Sequence, residues 1–290
     1  MNTHSPQEMQ QENITLVLGG TGKTGRRVAE RLKARNLAVR IGSRSAQPGF
    51  DWQIPATWAA ALEGVTAVYI SYSPDLAVPG AREKIRRFVD QAVAQGVQRL
   101  VLLSGRGEEE AQACERIVQQ TDVAWTVIRS SWFMQNFSEG EFVGMVNAGA
   151  ITLPAGQVPE PFIDVNDIAD VAVAALTEQG HAYEVYEVTG PRLMTLSELA
   201  GEISRAAGRD IPFVSIPSET FTQAIAESGA PKDVAWLLDY LFSTVLDGRN
   251  AHVSDGVQRA LGRQPADFAD FAQRMAATKV WDQSNSDVAA

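Results

Sequence analysis

The sequence predicts an α/β fold, a doubly wound parallel sheet with a smaller, mostly helical C-terminal part. Three observations predict it. From Ile14 to about Arg129, nearly continuous apolar runs alternate with helical patterns, as expected when helices cover both faces of a parallel sheet. A glycine cluster separates the first strand from the first helix. After about Ala150 the alternation gives way to helical segments punctuated by Gly208, Gly229, Gly248 and Gly262.

The first strand, Ile14–Leu18, runs into Gly19-Gly20-Thr21-Gly22-Lys23-Thr24-Gly25, and a helix is expected over 23–35. The spacing Gly19-x-x-Gly22-x-x-Gly25 is a relative of the dinucleotide-binding fingerprint, so the sheet is expected to be Rossmann-like. One glycine permits the tight turn, one lets the backbone approach a pyrophosphate, and the last lets helix and strand pack closely. Gly22-Lys23-Thr24 also matches the end of a P-loop, but that motif needs glycine where the chain has Val17. A glycine-rich turn without a ligand is the plain alternative, and the second strand argues against it.

That strand, 38–41, is followed by Ser43-Arg44-Ser45. A carboxylate about here would hold a ribose 2′-hydroxyl, whereas a guanidinium beside a small hydroxyl suits a 2′-phosphate. The expected cofactor is therefore NADP(H), with an exposed loop arginine as the alternative. Further strands are expected at 67–71, 99–104 and 124–129, and helices at 56–62, 79–95 and 108–120. Pro79 suits a first helical turn and Gly96 a helix end. Ligands in such sheets bind outside the carboxyl ends of the strands. There the sequence places Gly19–Gly25, Ser43-Arg44, Phe50-Asp51-Trp52, Ser71-Tyr72-Ser73, Ser104-Gly105 and Ser130–Phe137.

The later region reads as short apolar pieces at 151–154 and 162–165, a helix over 166–176 and strands over 183–188 and 212–217. Helices follow at 196–207, 218–228, 231–246, 254–261 and 267–277. The expected organisation is a polar, disordered tail over 1–12, an NADP-binding domain over 13–150 and a smaller substrate-side region over 151–290. Trp236 and Tyr240, four apart on one helix, are expected to belong to the core.

Composition narrows the function. A net charge of −10 argues against direct nucleic-acid or anionic-membrane binding. No apolar run approaches the length of a membrane span, and residues 1–12 lack a signal-peptide layout. A lone cysteine, Cys114, fits a reducing, cytoplasmic setting. His4, His181 and His252 are scattered, with no metal-ligand spacing. Glu108-Glu109-Glu110 opens a helix and reads as a set of dipole partners rather than a catalytic carboxylate pair.

These features together resemble the short-chain dehydrogenase/reductase superfamily, many of whose members protonate a carbonyl with a Tyr-x-x-x-Lys pair. That pair is missing here: Tyr69, Tyr72, Tyr183, Tyr186 and Tyr240 are followed four residues on by Ser73, Leu76, Glu187, Gly190 and Thr244. The departure is similar to the NmrA-like branch, and more narrowly to the festuclavine/agroclavine-synthase type reductases. The likeness rests on Gly20-Thr21-Gly22-Lys23-Thr24, Ser43-Arg44-Ser45, Phe50-Asp51-Trp52, Val101–Ser104, Ser131–Ser138, Thr189-Gly190-Pro191 and Leu261–Pro265. It implies that Gly19, Thr21, Gly22, Lys23, Thr24 and Gly25 hold the pyrophosphate, and Ser43 and Arg44 the 2′-phosphate. Asp51 and Trp52 would flank the adenine, with Ser71, Tyr72 and Ser104 along the ribose and nicotinamide. Ser104 and Tyr72 are the candidate catalytic groups. Trp132, Phe133, Asn136 and Phe137 would line the substrate side, with ordinary packing under a loop as the alternative.

A missing acid restricts the chemistry. Hydride addition to a ketone develops an alkoxide that needs a proton or an oxyanion hole. An iminium or triarylmethyl cation needs neither, and a quinone spreads the new charge. The expected function is an NADPH-dependent reductase of a small aromatic or cationic acceptor. The rival is a non-catalytic NADP(H) sensor acting through a protein partner.

Overall fold

The computed structural model describes residues 13–140 and 142–282; the tail expected over 1–12 lies outside them. Six parallel strands form the main sheet in the order β2-β1-β3-β4-β5-β7. They are β1 (Ile14–Leu18), β2 (Val39–Gly42), β3 (Val65–Ile70), β4 (Arg99–Gly105), β5 (Ala124–Ser130) and β7 (Glu184–Val188). The helices between the first five are α1 (Lys23–Ala34), α2 (Trp58–Leu62), α3 (Ala81–Ala94) and α4 (Glu109–Gln119).

Side-chain alternation along each strand fixes the two layers. Leu16, Leu18, Val68, Ile70, Leu100 and Leu102 pack with Ile85, Phe88 and Val89 of α3 and with Cys114, Ile117 and Val118 of α4. Val17, Tyr69, Val101 and Ile128 face the other way, onto Val28 and Leu32 of α1 and onto α6 (Val165–Thr177). Because β2 and β3 leave β1 on opposite sides, a crevice opens at the carboxyl ends of β1 and β3.

The chain after residue 150 does two things. α6 and β7 return to the sheet layer, with α6 tied to α1 by Arg31–Asp170 (2.7 Å) and Arg27–Asn166 (3.2 Å). The remainder surrounds a second apolar cluster. Its elements include a parallel pair, β6 (Ile151–Leu153) and β8 (Phe213–Ser215), with α7 (Leu196–Ala207), α8 (Ser218–Glu227) and α11 (Phe268–Ala277). A short α5 (Val143–Ala148) precedes β6, and α10 (Gly256–Leu261) packs on β7.

Four features differ from the sequence reading or add to it. The apolar piece at 162–165 makes only a single bridge, Phe133 to Ile163, because α6 begins at Val165 behind its cap Asp164. α5 was not expected, since Gly144 and Asn147 weaken its helical signal. The long helix expected over 231–246 is α9 (Lys232–Tyr240), continued by a wider π-type turn over Leu241–Val245. On α9, Trp236 and Tyr240 stack at 5.2 Å, but Trp236 is 41% exposed, so this pair covers the outside of the core instead of filling it. Among the described residues no helix is long and apolar enough to cross a membrane.

Candidate active site

A cleft of about 850 Å³ runs along the carboxyl ends of β1 to β5. Its first end is the β1–α1 turn. Gly19 bends it with a φ of +62°, and the Gly22 N–H donates to the Gly19 carbonyl at 2.8 Å. α1 starts with no side-chain cap and no acid in its first turn. Its first amides are therefore left to an external anion, which is what a pyrophosphate requires. Gly25 serves packing: a Cβ there would lie 2.2 Å from the Gly19 carbonyl oxygen. Gly19, Thr21, Gly22, Lys23 and Thr24 line the cleft, and Gly25 stands behind them. Lys23 Nζ donates to Asn136 Oδ1 at 3.2 Å, joining this turn to the loop after β5.

Ser43 and Arg44 follow β2 and line the same end, with the Arg44 side chain exposed at the rim. Next along the wall come Asp51 and Trp52. Trp58 Nε1 donates to the Asp51 carbonyl at 2.8 Å, and the Gln53 N–H donates to Asp51 Oδ1 at 2.8 Å, so this loop is held from both sides. Trp52 packs 4.8 Å from Tyr72 and 5.2 Å from Phe88. Ser71 and Tyr72 leave β3 beside the glycine turn, and a Cβ added at Gly19 would lie 3.3 Å from the Ser71 side chain.

Neither candidate catalytic hydroxyl is arranged as an acid. Tyr72 is 7% exposed, and burial, followed by the charges of Cys114 and Asp233, pushes its phenol up to about 12. Ser104 Oγ donates to Glu115 Oε1 at 2.6 Å, and Arg129 Nε holds the same carboxylate at 2.9 Å. Ser104 and Tyr72 both face the cleft.

At the far end, Trp132, Phe133 and Asn136 line the wall. Trp132 packs 5.1 Å from Phe242, which fixes its ring. Phe137 is elsewhere: it is 1% exposed among Phe142, Phe162 and Phe268, and its carbonyl accepts from Trp281 Nε1 at 2.7 Å. It packs beneath the loop that carries the other three.

Several wall residues escaped sequence reasoning: Asp75, Arg106, Glu108, Phe142, Leu237 and Asn250. Arg106 is spoken for, bonded to Glu187 Oε1 (2.9 Å) and to the Asn250 carbonyl (3.2 Å). Glu109 and Glu110 do occupy the first turn of α4, as dipole partners should. Glu108 does not cap that helix; its side chain is buried at the cleft. Burial, and then the neighbouring Asp75, hold its carboxyl well above the usual carboxylate range, and burial raises Asp75 as well. A run of three glutamates gives no sign of which one turns inward.

Comparison with known proteins follows the same line. Residues 19–179 match the NAD(P)H-binding family. The chain is 34% identical over 279 residues to agroclavine dehydrogenase of Claviceps fusiformis, across 88% of this chain and 95% of that one. It is 31% identical over 293 residues to the NAD(P)H azoreductase of Xenophilus azovorans, across 91% of this chain and 98% of that one. The crystal structure of Citrobacter sp. triphenylmethane reductase complexed with NADP(H) shares the fold, with a TM-score of 0.72 at 19% identity over 91% of this chain and 99% of that one. With its uncapped glycine turn and these relatives, the chain belongs to the NAD(P)H-binding family, as an oxidoreductase.

Proposed function

We propose that this chain is an NADPH-dependent reductase that delivers hydride to an electrophilic conjugated or cationic acceptor of iminium, quinone or dye type. The observation that carries the reading is one cleft with an anion-ready glycine turn at one end and an aromatic wall at the other, where Tyr72 and Ser104 are poorly set up to give a proton. In this reading the amides from Gly19 to Thr24, with Lys23, hold the pyrophosphate, and Ser43 and Arg44 hold the 2′-phosphate. Asp51 and Trp52 flank the adenine. Ser71, Tyr72 and Ser104 orient the ribose and nicotinamide. Trp132, Phe133 and Asn136 bound the acceptor, with Phe137 supporting them from beneath.

When bound, NADPH supplies the hydride. The protein's part is to set the acceptor carbon against it and to exclude water. A cationic acceptor becomes neutral on reduction, so the step needs no proton from Tyr72 or Ser104. The names of the relatives support the class, since agroclavine, azo compounds and triphenylmethane dyes are extended aromatic molecules. Buried Cys114 suits a reducing compartment such as the cytoplasm.

Steady-state NADPH oxidation with menadione, a triarylmethane dye and a cyclic iminium tests the reading. Turnover of at least one, with NADPH favoured over NADH by about tenfold or more, is the expected result. A protein that binds NADPH and turns over none of them would be a sensor acting through a protein partner.

A further inference from the structure

The cleft wall carries two buried carboxyls, Asp75 and Glu108, that lie against each other. Asp75 follows β3 and Glu108 follows β4, neighbouring strands paired in register from Ala67–Arg99 to Ile70–Leu102. Their carboxyls therefore meet at the cleft wall. Glu108 is 6% exposed, and no N–H or O–H of the described residues reaches its Oε2. Its Oε1 occupies the space that a side chain at Gly105 would fill, 2.1 Å from the position of a Cβ. Asp75 Oδ1 accepts from the Ala77 N–H at 2.8 Å.

Glu115 of α4 adds its charge to Glu108, while Arg106 on the same cleft wall is bonded to Glu187 and to the Asn250 carbonyl. Tyr240 of α9 feels the charge of Glu108. Burial and mutual proximity raise both carboxyls, and a cation seated beside them favours the ionised form of one. The same cleft presents Tyr72, Trp132 and Phe142, and aromatic faces also attract cations. A neutral acceptor gains little from such a wall. A cationic nitrogen gains an ion pair in a place shielded from water.

We propose that Asp75 and Glu108 are the specificity-determining element of the acceptor site, seating the positively charged nitrogen of an iminium or ammonium group while the aromatic wall takes its ring. The proposal rests on the acceptor reading above and narrows it to cations. Two probes separate recognition from turnover. Calorimetry on the enzyme–NADP⁺ complex compares benzyltrimethylammonium with benzyl alcohol, and steady-state kinetics compares a cyclic iminium with menadione. In the wild type the ammonium binds the tighter of the two probes. The isosteric variants Glu108→Gln and Asp75→Asn each reduce that preference about tenfold or more, and the iminium-to-menadione ratio of kcat/KM falls with it, mainly through KM. Gly105→Ala pushes the Glu108 carboxyl from its seat without changing any charge, and lowers the same ratios.

No preference in the wild type, or an equal loss for both probes in the variants, overturns the proposal. So does a matched fall in kcat for both acceptors with a new pH limb, which would make the pair a proton donor. If the ammonium preference is present and lost in the variants, but no acceptor is turned over, the recognition stands and the reductase reading fails.

Discussion

The two ends of the cleft are built differently. The glycine turn, where we place the pyrophosphate, is one continuous stretch from Gly19 to Gly25 that offers backbone amides with no side-chain cap. The other end, where we place the acceptor, is lined by side chains far apart in sequence, among them Asp75, Glu108, Trp132, Phe142 and Leu237. An anion held by backbone needs only local spacing. An acceptor held by side chains needs the whole fold in place, and each contributor can change independently.

The largest effects are expected at the first end. Gly25→Ala sets a Cβ against the Gly19 carbonyl and is expected to cost about 3 kcal/mol of stability or more. Gly22→Val, whose Cβ meets that oxygen only at 3.2 Å, leaves the protein folded and abolishes binding of NADPH and NADH alike. Thermal melts and cofactor titration separate the two failures; micromolar cofactor binding by folded Gly22→Val would place the cofactor elsewhere. Arg44→Ala comes next. Losing a charge-assisted hydrogen bond of about 1.5–3 kcal/mol weakens NADPH roughly ten- to a hundredfold, and NADH far less. An equal loss for both cofactors would remove the 2′-phosphate role.

A smaller effect lies under the acceptor end. Ser131, which lines the cleft, donates to buried Glu160 Oε2 at 3.4 Å, while Oε1 has no partner. Burial, opposed by the charge of Arg106, pushes this carboxyl up to about 7 from 4.5. The folded protein thus holds the proton to higher pH than the unfolded chain. Stability is lost as pH rises from the lower value to the higher, and the deficit then stays constant. Glu160→Gln removes that dependence, so it should favour the variant by roughly 1–3 kcal/mol more at about pH 8 than at about pH 5. Melts that shift equally at the two pH values would rule out a buried, titrating Glu160.

The same contrast explains what could be read from the sequence. The five strands before residue 130 stand out as apolar runs, and the glycine turn as a spacing, because each is set by neighbours in the chain. The return of α6 and β7 to the sheet was not legible, since joining a sheet edge is decided by packing on α1 and β5. Trp132 and Phe137 look alike in sequence, within one short aromatic loop. Only the second cluster, closing over Phe137 with Phe268 and Trp281, decides that one lines the cleft and the other packs beneath it. Glu108 is the clearest case. Its place at the cleft wall depends on Asp75 and on the missing side chain of Gly105, and no local pattern reports either.

The most direct test of proton-free hydride transfer is single-turnover NADPH oxidation with a saturating cyclic iminium, followed across roughly pH 6–8. The rate should be flat beyond the acceptor's own titration, and Ser104→Ala and Tyr72→Phe should each cost less than about tenfold, because these groups orient and do not transfer protons. A loss of about 10²–10⁴-fold from either substitution, together with a new pH limb, would contradict the account and make that residue a general acid.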